Sequence, residues 1–249
     1  MKEKLVVVLG PTATGKSKIG ILLAQKLNGE IISGDSMLIY KKMDIGTAKP
    51  SEEEQKSVPH HLIDILEPDA TYNAFQFQQN AADLITKINA RNKLPIIVGG
   101  TGLYIQALLE NYEFDVPKSN KKNLNQYDAL VFGLKMERSF LYERINARVD
   151  KMLADGLEDE VKNLLDAGVP PNCQSMRAIG YRQMLWYLQD GMDKDAMIEK
   201  LKQATRNFAK RQFTWYRHMN YIKWFEVGRN LDYNKICLEM TEIIKSKWK

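Results

Sequence analysis

The eight residues Gly10-Pro11-Thr12-Ala13-Thr14-Gly15-Lys16-Ser17 constrain this chain more than any other stretch. They fit the pattern G-x-x-x-x-G-K-[ST], which has physical meaning only when a strand leads in and a helix leads out. Both flanks are present. Leu5-Val6-Val7-Val8-Leu9 reads as a buried parallel strand, and Lys18 to Leu27 as a helix with Ile19, Leu22, Leu23 and Leu27 at helical spacing. Such a unit turns successive backbone N–H groups and the positive end of a helix dipole toward one point, where a di- or triphosphate binds. Lys16 adds a cation, and Ser17 a hydroxyl able to ligate Mg²⁺. The motif by itself leaves open which phosphate is bound and what becomes of it.

The order of elements behind the motif predicts the fold. Glu30-Ile31-Ile32-Ser33 is a second strand ending in the turn Gly34-Asp35-Ser36, so the first crossover joins parallel strands. Ser51 and Glu54 form a capping box for a short helix, and His60 to Ile65 reads as an edge strand. Asn73 to Arg91 is an amphipathic helix packing Phe77, Ala81, Leu84, Ile85 and Ile88. Pro95 to Val98 is a buried strand, and Gly99-Gly100-Thr101-Gly102 a second glycine-rich turn opening a helix. Pro117 to Asn123 is polar and aperiodic, an exposed loop within residues 111–128. Ala129 to Leu134 resumes as a strand. Helices follow at Ser139 to Leu153, Leu157 to Ala167, Met176 to Leu188 and Asp193 to Met219, then a strand at Tyr221 to Val227 and a helix at Tyr233 to Lys247. The expectation is one α/β domain over residues 1–249, a P-loop NTPase-like parallel sheet flanked by helices with a mostly helical C-terminal half.

Composition excludes several classes. Only Cys173 and Cys237 occur, without ligand spacing, so neither a disulfide framework nor a zinc site is indicated. His60, His61 and His218 have no metal-site spacing either. No apolar run is long enough to span a bilayer, and the chain enters its first strand directly after Met1-Lys2-Glu3-Lys4, so a cytosolic protein without membrane contact is expected. A formal charge of +5 suits a nucleic-acid or polyphosphate partner without requiring one.

Ligands of parallel α/β sheets gather beyond the carboxyl ends of the strands, which directs Asp35 and Ser36 at the phosphate site. Asp35 is either a metal or structural ligand, or a general base beside an acceptor substrate. Thr101, among three glycines, brings backbone and hydroxyl close to a ligand. No carboxylate follows Ile96-Ile97-Val98, where an ATPase would carry its Walker B acid, and this argues against ATP hydrolysis. Along the long helix, Arg206, Lys210, Phe213 and Arg217 fall on one stripe, with Arg211, Trp215 and Tyr216 interleaving cations and aromatics. A solvated charged face and a nucleic-acid contact both fit that pattern. Met176-Arg177-Ala178-Ile179-Gly180-Tyr181-Arg182 offers a similar mixture.

With these stretches together, the chain resembles the bacterial tRNA dimethylallyltransferases, the tRNA isopentenyltransferase family. The resemblance is carried by Gly10 to Ser17, Asp35-Ser36-Met37-Leu38-Ile39-Tyr40, Met43 to Pro50, Val98 to Tyr104, Arg177 to Gln183, Ala204-Thr205-Arg206 and Ala209 to Gln212 with Thr214-Trp215. It implies transfer of a dimethylallyl group from dimethylallyl diphosphate to N6 of the adenosine next to the tRNA anticodon, with Mg²⁺ and with the anticodon stem-loop as partner. Under that resemblance Gly10, Thr12, Ala13, Thr14, Gly15, Lys16, Ser17 and Arg206 hold the diphosphate, and Ser17 the metal. Asp35 accepts a proton from N6, or hydrogen-bonds to it, and Thr101 sits near the scissile C–O bond. Asp35, Ser36, Met37, Leu38, Arg177, Gly180, Tyr181, Arg182, Lys210, Arg211 and Arg217 contact tRNA. A monomer is expected.

One feature departs from the family pattern. Members usually carry a helical insertion after the region of Leu109, with a Gln-Arg-x-x-Arg-like element that touches tRNA. Here residues 111–128 form only a short polar loop, in which Lys118, Lys121 and Lys122 could replace part of the phosphate contact. This keeps two other acceptors or reactions in view: prenylation of free AMP, ADP or ATP, and phosphoryl transfer by a P-loop kinase. A non-catalytic RNA-binding module is disfavoured by the joint presence of Lys16, Asp35, Thr101 and Arg206.

Overall fold

A computed structural model describes residues 2–114 and 126–248. The elements run β1 (Lys4–Leu9), α1 (Lys16–Leu27), β2 (Gly29–Ser33), α2 (Glu52–Ser57), β3 (His60–His61), α3 (Ala74–Ala90), β4 (Leu94–Gly99) and α4 (Gly102–Leu109). After the undescribed segment come β5 (Asp128–Lys135), α5 (Arg138–Ala154), α6 (Leu157–Asp166), α7 (Tyr181–Leu188), α8 (Lys194–Tyr216), β6 (Lys223–Glu226) and α9 (Tyr233–Lys247). The polar stretch Pro117 to Asn123 lies outside the described residues.

An unbroken apolar strand needs cover on both faces, which only a sheet sandwiched between helices supplies. Leu5 through Leu9 are fully buried, and β1 sits in the middle of a six-stranded parallel sheet of order β3-β2-β4-β1-β5-β6. Side chains alternate across a strand, so β1 feeds two cores. Val6 and Val8 pack with Ile19 and Leu23 of α1 and Ile236 and Met240 of α9. Leu5, Val7 and Leu9 belong to the opposite core, with Phe77, Ala81 and Ile85 of α3 and Ile105 and Leu108 of α4. The second core continues through Val149, Leu157, Val161, Met184 and Leu201, which attaches the helical C-terminal half to the sheet.

Three expectations are corrected. The edge strand stops at His61, because Leu62 (φ 60°) and Asp64 (φ 54°) take left-handed backbone and turn the chain toward the carbonyls of Leu38 and Ile39. The helix expected over Met176 to Leu188 is two pieces, a 3-10 turn at Ser175–Arg177 and then α7. Between them Ala178 is extended and Gly180 sits at φ 101°, a conformation that removes a continuous helix and favours glycine. The long helix α8 ends at Tyr216, with Arg217 as its C-cap.

Candidate active site

Beyond the carboxyl ends of β1, β2 and β4 lies a cavity of about 400 Å³. The P-loop supplies Thr12, Lys16 and Ser17 to its wall. Lys16 Nζ donates to Pro11 O at 2.8 Å. Burial pulls its ammonium down to about 8; Asp35 opposes that shift and Arg148 adds to it. Gly10, Ala13, Thr14 and Gly15, expected to hold the diphosphate, are not among the lining residues. Thr14 is fully buried, with its hydroxyl donating to Pro11 O at 2.8 Å. Ala13 packs with Leu141, Ile145 and Ala209. The Thr12 N–H is already engaged, donating to Gln212 Oε1 at 2.9 Å.

That last bond belongs to a brace from α8. Gln212 Nε2 donates to Gly100 O at 2.8 Å, and the Tyr216 hydroxyl donates to the same carbonyl at 2.8 Å. Both glycine-rich turns are therefore tied to one helix. Asp35 lines the cavity at the end of β2, and its Oδ1 accepts the Met37 N–H at 2.9 Å, an Asx-type turn that holds the carboxylate in place. Ser36, Met37 and Leu38 follow it along the wall. Thr101 stands behind: its Oγ1 accepts the Ser36 N–H at 3.0 Å, while Gly99 is the member of that turn on the cavity surface.

Arg148 of α5 faces the same space and was not foreseen. Burial pulls its guanidinium below its usual range; Asp35 opposes the shift and Arg144 adds to it. Arg144, one turn earlier, donates from Nε to Ala13 O at 2.8 Å, so α5 grips the P-loop and presents a cation beside Lys16. The available signal was two arginines four apart on one helical face. Arg206 is not brought to the cavity. Its Nη1 donates to Asn146 Oδ1 of α5 at 2.7 Å, although Ala209 one turn on packs against Ala13 of the P-loop.

The far wall is made by Gly46, Thr47 and Ala48 and by Arg177, Gly180 and Arg182. Arg211 closes the rim from α8, its guanidinium 5.8 Å from the centroid of Phe208. Tyr181 is corrected from a surface contact to a core residue: it is fully buried, and its hydroxyl donates to Glu160 Oε1 at 2.6 Å. Lys210 and Arg217 are exposed outside the cavity, Arg217 lying 5.2 Å from the ring centroid of Phe213.

The lining thus combines five cations (Lys16, Arg148, Arg177, Arg182 and Arg211) with one carboxylate, Asp35. Val149, Met152, Leu201 and Phe208 supply an apolar side. That arrangement accepts a ligand with an anionic head and a short apolar tail, next to a single base. For Mg²⁺ the fitting donors are hard oxygens, and Ser17 and Asp35 both border the cavity. Among the described residues no group of three or more His, Cys, Asp or Glu stands ready to hold a metal. Such a wall suits an ion that draws most of its ligands from phosphate and water. No helix of the described residues is long and apolar enough to cross a membrane.

Comparison with known proteins points to one family. The family described as IPP transferase matches residues 38–126 and 113–219. The tRNA dimethylallyltransferase of Pelotomaculum thermopropionicum is 41% identical over 300 positions, covering 96% of this chain and 96% of that protein. The enzyme of the same name from Streptococcus mutans is 42% identical, over 99% of this chain and all of the relative. Among solved structures, the full-length tRNA isopentenylpyrophosphate transferase from Bacillus halodurans superposes with a TM-score of 0.91 at 38% identity, over 99% of this chain and 97% of that one. Identity at this level along nearly the whole length, on the same fold, establishes that the chain belongs to the tRNA dimethylallyltransferase family of prenyltransferases.

Proposed function

We propose that the protein transfers a dimethylallyl group from dimethylallyl diphosphate to N6 of the adenosine next to the tRNA anticodon, releasing diphosphate. The observation that carries this reading is the single cavity in which Lys16 and Arg148 flank Asp35 beside an apolar wall. The C–O bond of the donor breaks and its electron pair leaves with the diphosphate, while an N6–carbon bond forms. Asp35 holds or accepts the proton that N6 gives up. Lys16, Arg148 and the backbone N–H groups at the start of α1 stabilise the charge growing on the leaving group. Arg206 joins them by exchanging Asn146 for a phosphate oxygen. Thr101 acts through the Ser36 N–H, holding the turn that carries Asp35.

Mg²⁺, held by Ser17 together with phosphate oxygens and water, would supply further charge neutralisation on the diphosphate. Arg177, Arg182 and Arg211 receive the RNA backbone near the cavity mouth, and Lys210 and Arg217 extend that basic surface along α8. The target base leaves its stack to enter. The protein works as a cytosolic monomer.

The chain also lacks the family's helical insertion, with residues 111–128 in its place. Two facts support this. The family match breaks into two segments overlapping at residues 113–126. The alignment with the Pelotomaculum enzyme runs over 300 positions against 249 residues here, so at least 51 positions belong to the relative alone.

The test is to incubate the purified chain with dimethylallyl diphosphate, Mg²⁺ and either unmodified tRNA or AMP, and to look for prenylated adenosine by mass. Product with tRNA is expected. Product with AMP alone would reassign the acceptor, and phosphate transfer from ATP without either product would make the protein a kinase.

A further inference from the structure

The loop Asp44 to Ala48, which forms the far wall, belongs to no helix or strand, yet it is held by one carboxylate from a distant part of the chain. Glu160 in the first turn of α6 accepts the N–H groups of Asp44 and Ile45 on Oε2, both at 2.7 Å. Its Oε1 accepts the Gly46 N–H at 3.0 Å and the Tyr181 hydroxyl at 2.6 Å. Only an ionised carboxylate accepts from four donors at once; a glutamine would set its own N–H₂ against some of them. The Tyr181 ring packs close against the loop, and a Cβ at Gly46 would come within 2.5 Å of it. From the other side, Lys49 donates to Tyr40 O at 2.9 Å and pairs with Asp44 and Asp64.

We propose that Glu160, seated by Tyr181, is a positioning residue for the acceptor: it fixes the wall formed by Gly46, Thr47 and Ala48 against which the incoming base is placed. This rests on the transfer reading above. The diphosphate end does not depend on Glu160, since the P-loop is tied to Gln212 and Arg144. Among the described residues, the loop's hydrogen bond to that end is Arg148 Nη2 to Thr47 O at 3.5 Å, a long contact. Loss of Glu160 therefore acts on one substrate and spares the other, which a general loss of stability would not do.

The experiment is steady-state kinetics on the full chain with unmodified tRNA and dimethylallyl diphosphate, for wild type, Glu160→Gln, Tyr181→Phe and the double variant. Glu160→Gln is expected to raise the tRNA KM about tenfold with the donor KM within about twofold. Tyr181→Phe keeps the ring on Gly46 and removes only the hydroxyl, so it moves the tRNA KM in the same direction by about threefold. The double variant is no worse than Glu160→Gln, because both changes act on one contact. If Glu160→Gln does not fold, Tyr181→Phe decides alone. Equal rises in both KM values, no rise in either, or full additivity would overturn the proposal while leaving the transfer reading intact. Absence of product with the wild-type protein would overturn both.

Discussion

The two ends of the cavity are built by different means. The end proposed for the diphosphate is local: one uninterrupted stretch, residues 10–17, runs from β1 into α1, and its geometry follows from strand, turn and helix N-terminus. The end proposed for the acceptor is assembled from residues far apart in the chain, Gly46 to Ala48 against Arg177 to Arg182, with Glu160 and Tyr181 joining them. Between the two stands Asp35, on the turn after β2 and braced by Thr101 across a separation of more than sixty residues. Chemistry that recurs on many proteins is encoded in the contiguous part. The opposite wall of the cavity is held by long-range contacts.

The largest expected effect lies where the ends meet. Asp35→Ala should lower the single-turnover rate about 10²–10⁴-fold with donor affinity changed less than about threefold. An unchanged rate would remove Asp35 as the base and leave the ends chemically unconnected. Arg148→Ala should come next, lowering kcat/KM for the donor about 10²-fold in initial-rate assays. A change only in tRNA KM would move Arg148 from the diphosphate end to the acceptor end.

The pH dependence of donor binding separates the ends without altering tRNA. The Lys16 ammonium sits at about 8, below the ordinary 10.5. Its proton is therefore lost as pH rises through 8, when the donor's phosphates are already ionised. Calorimetry should show donor affinity falling by up to about tenfold per pH unit above 8, and Lys16→Met should bind weakly at every pH with that slope gone. A flat profile in wild type would take Lys16 out of the cradle. The smallest effect is expected at Lys210, exposed outside the cavity. Lys210→Ala should weaken tRNA binding a few-fold in filter assays, reduce its salt dependence, and leave donor KM alone.

Much of the fold was legible because its strands and helices carry periodic signals strong enough to stand alone. The central strands, α3 with its packed face, and the capping box at Ser51 and Glu54 all appear where the residues predict them. Interruptions were harder. Gly180 breaks an apolar, helix-like stretch because its φ is positive, at 101°, and a single glycine in such a run does not announce that. Tyr181, read beside two arginines, looked like a surface aromatic, yet the turn at Gly180 points it inward to Glu160. Arg148 was missed because its value comes from α5 crossing the P-loop, a tertiary fact. Arg206 illustrates the converse: a cation in a shared motif whose partner is Asn146, sixty residues away.

On the proposed reading the P-loop serves the departure of diphosphate from carbon, not the transfer of a phosphoryl group. Dimethylallyl diphosphate carrying ¹⁸O at the oxygen between carbon and phosphorus tests it directly, with unmodified tRNA and Mg²⁺ present. Mass analysis should find the label in the released diphosphate and the dimethylallyl carbon on adenosine N6. Label retained in dimethylallyl alcohol, with unmodified tRNA, would mean that a P–O bond had broken and would contradict that role of the P-loop.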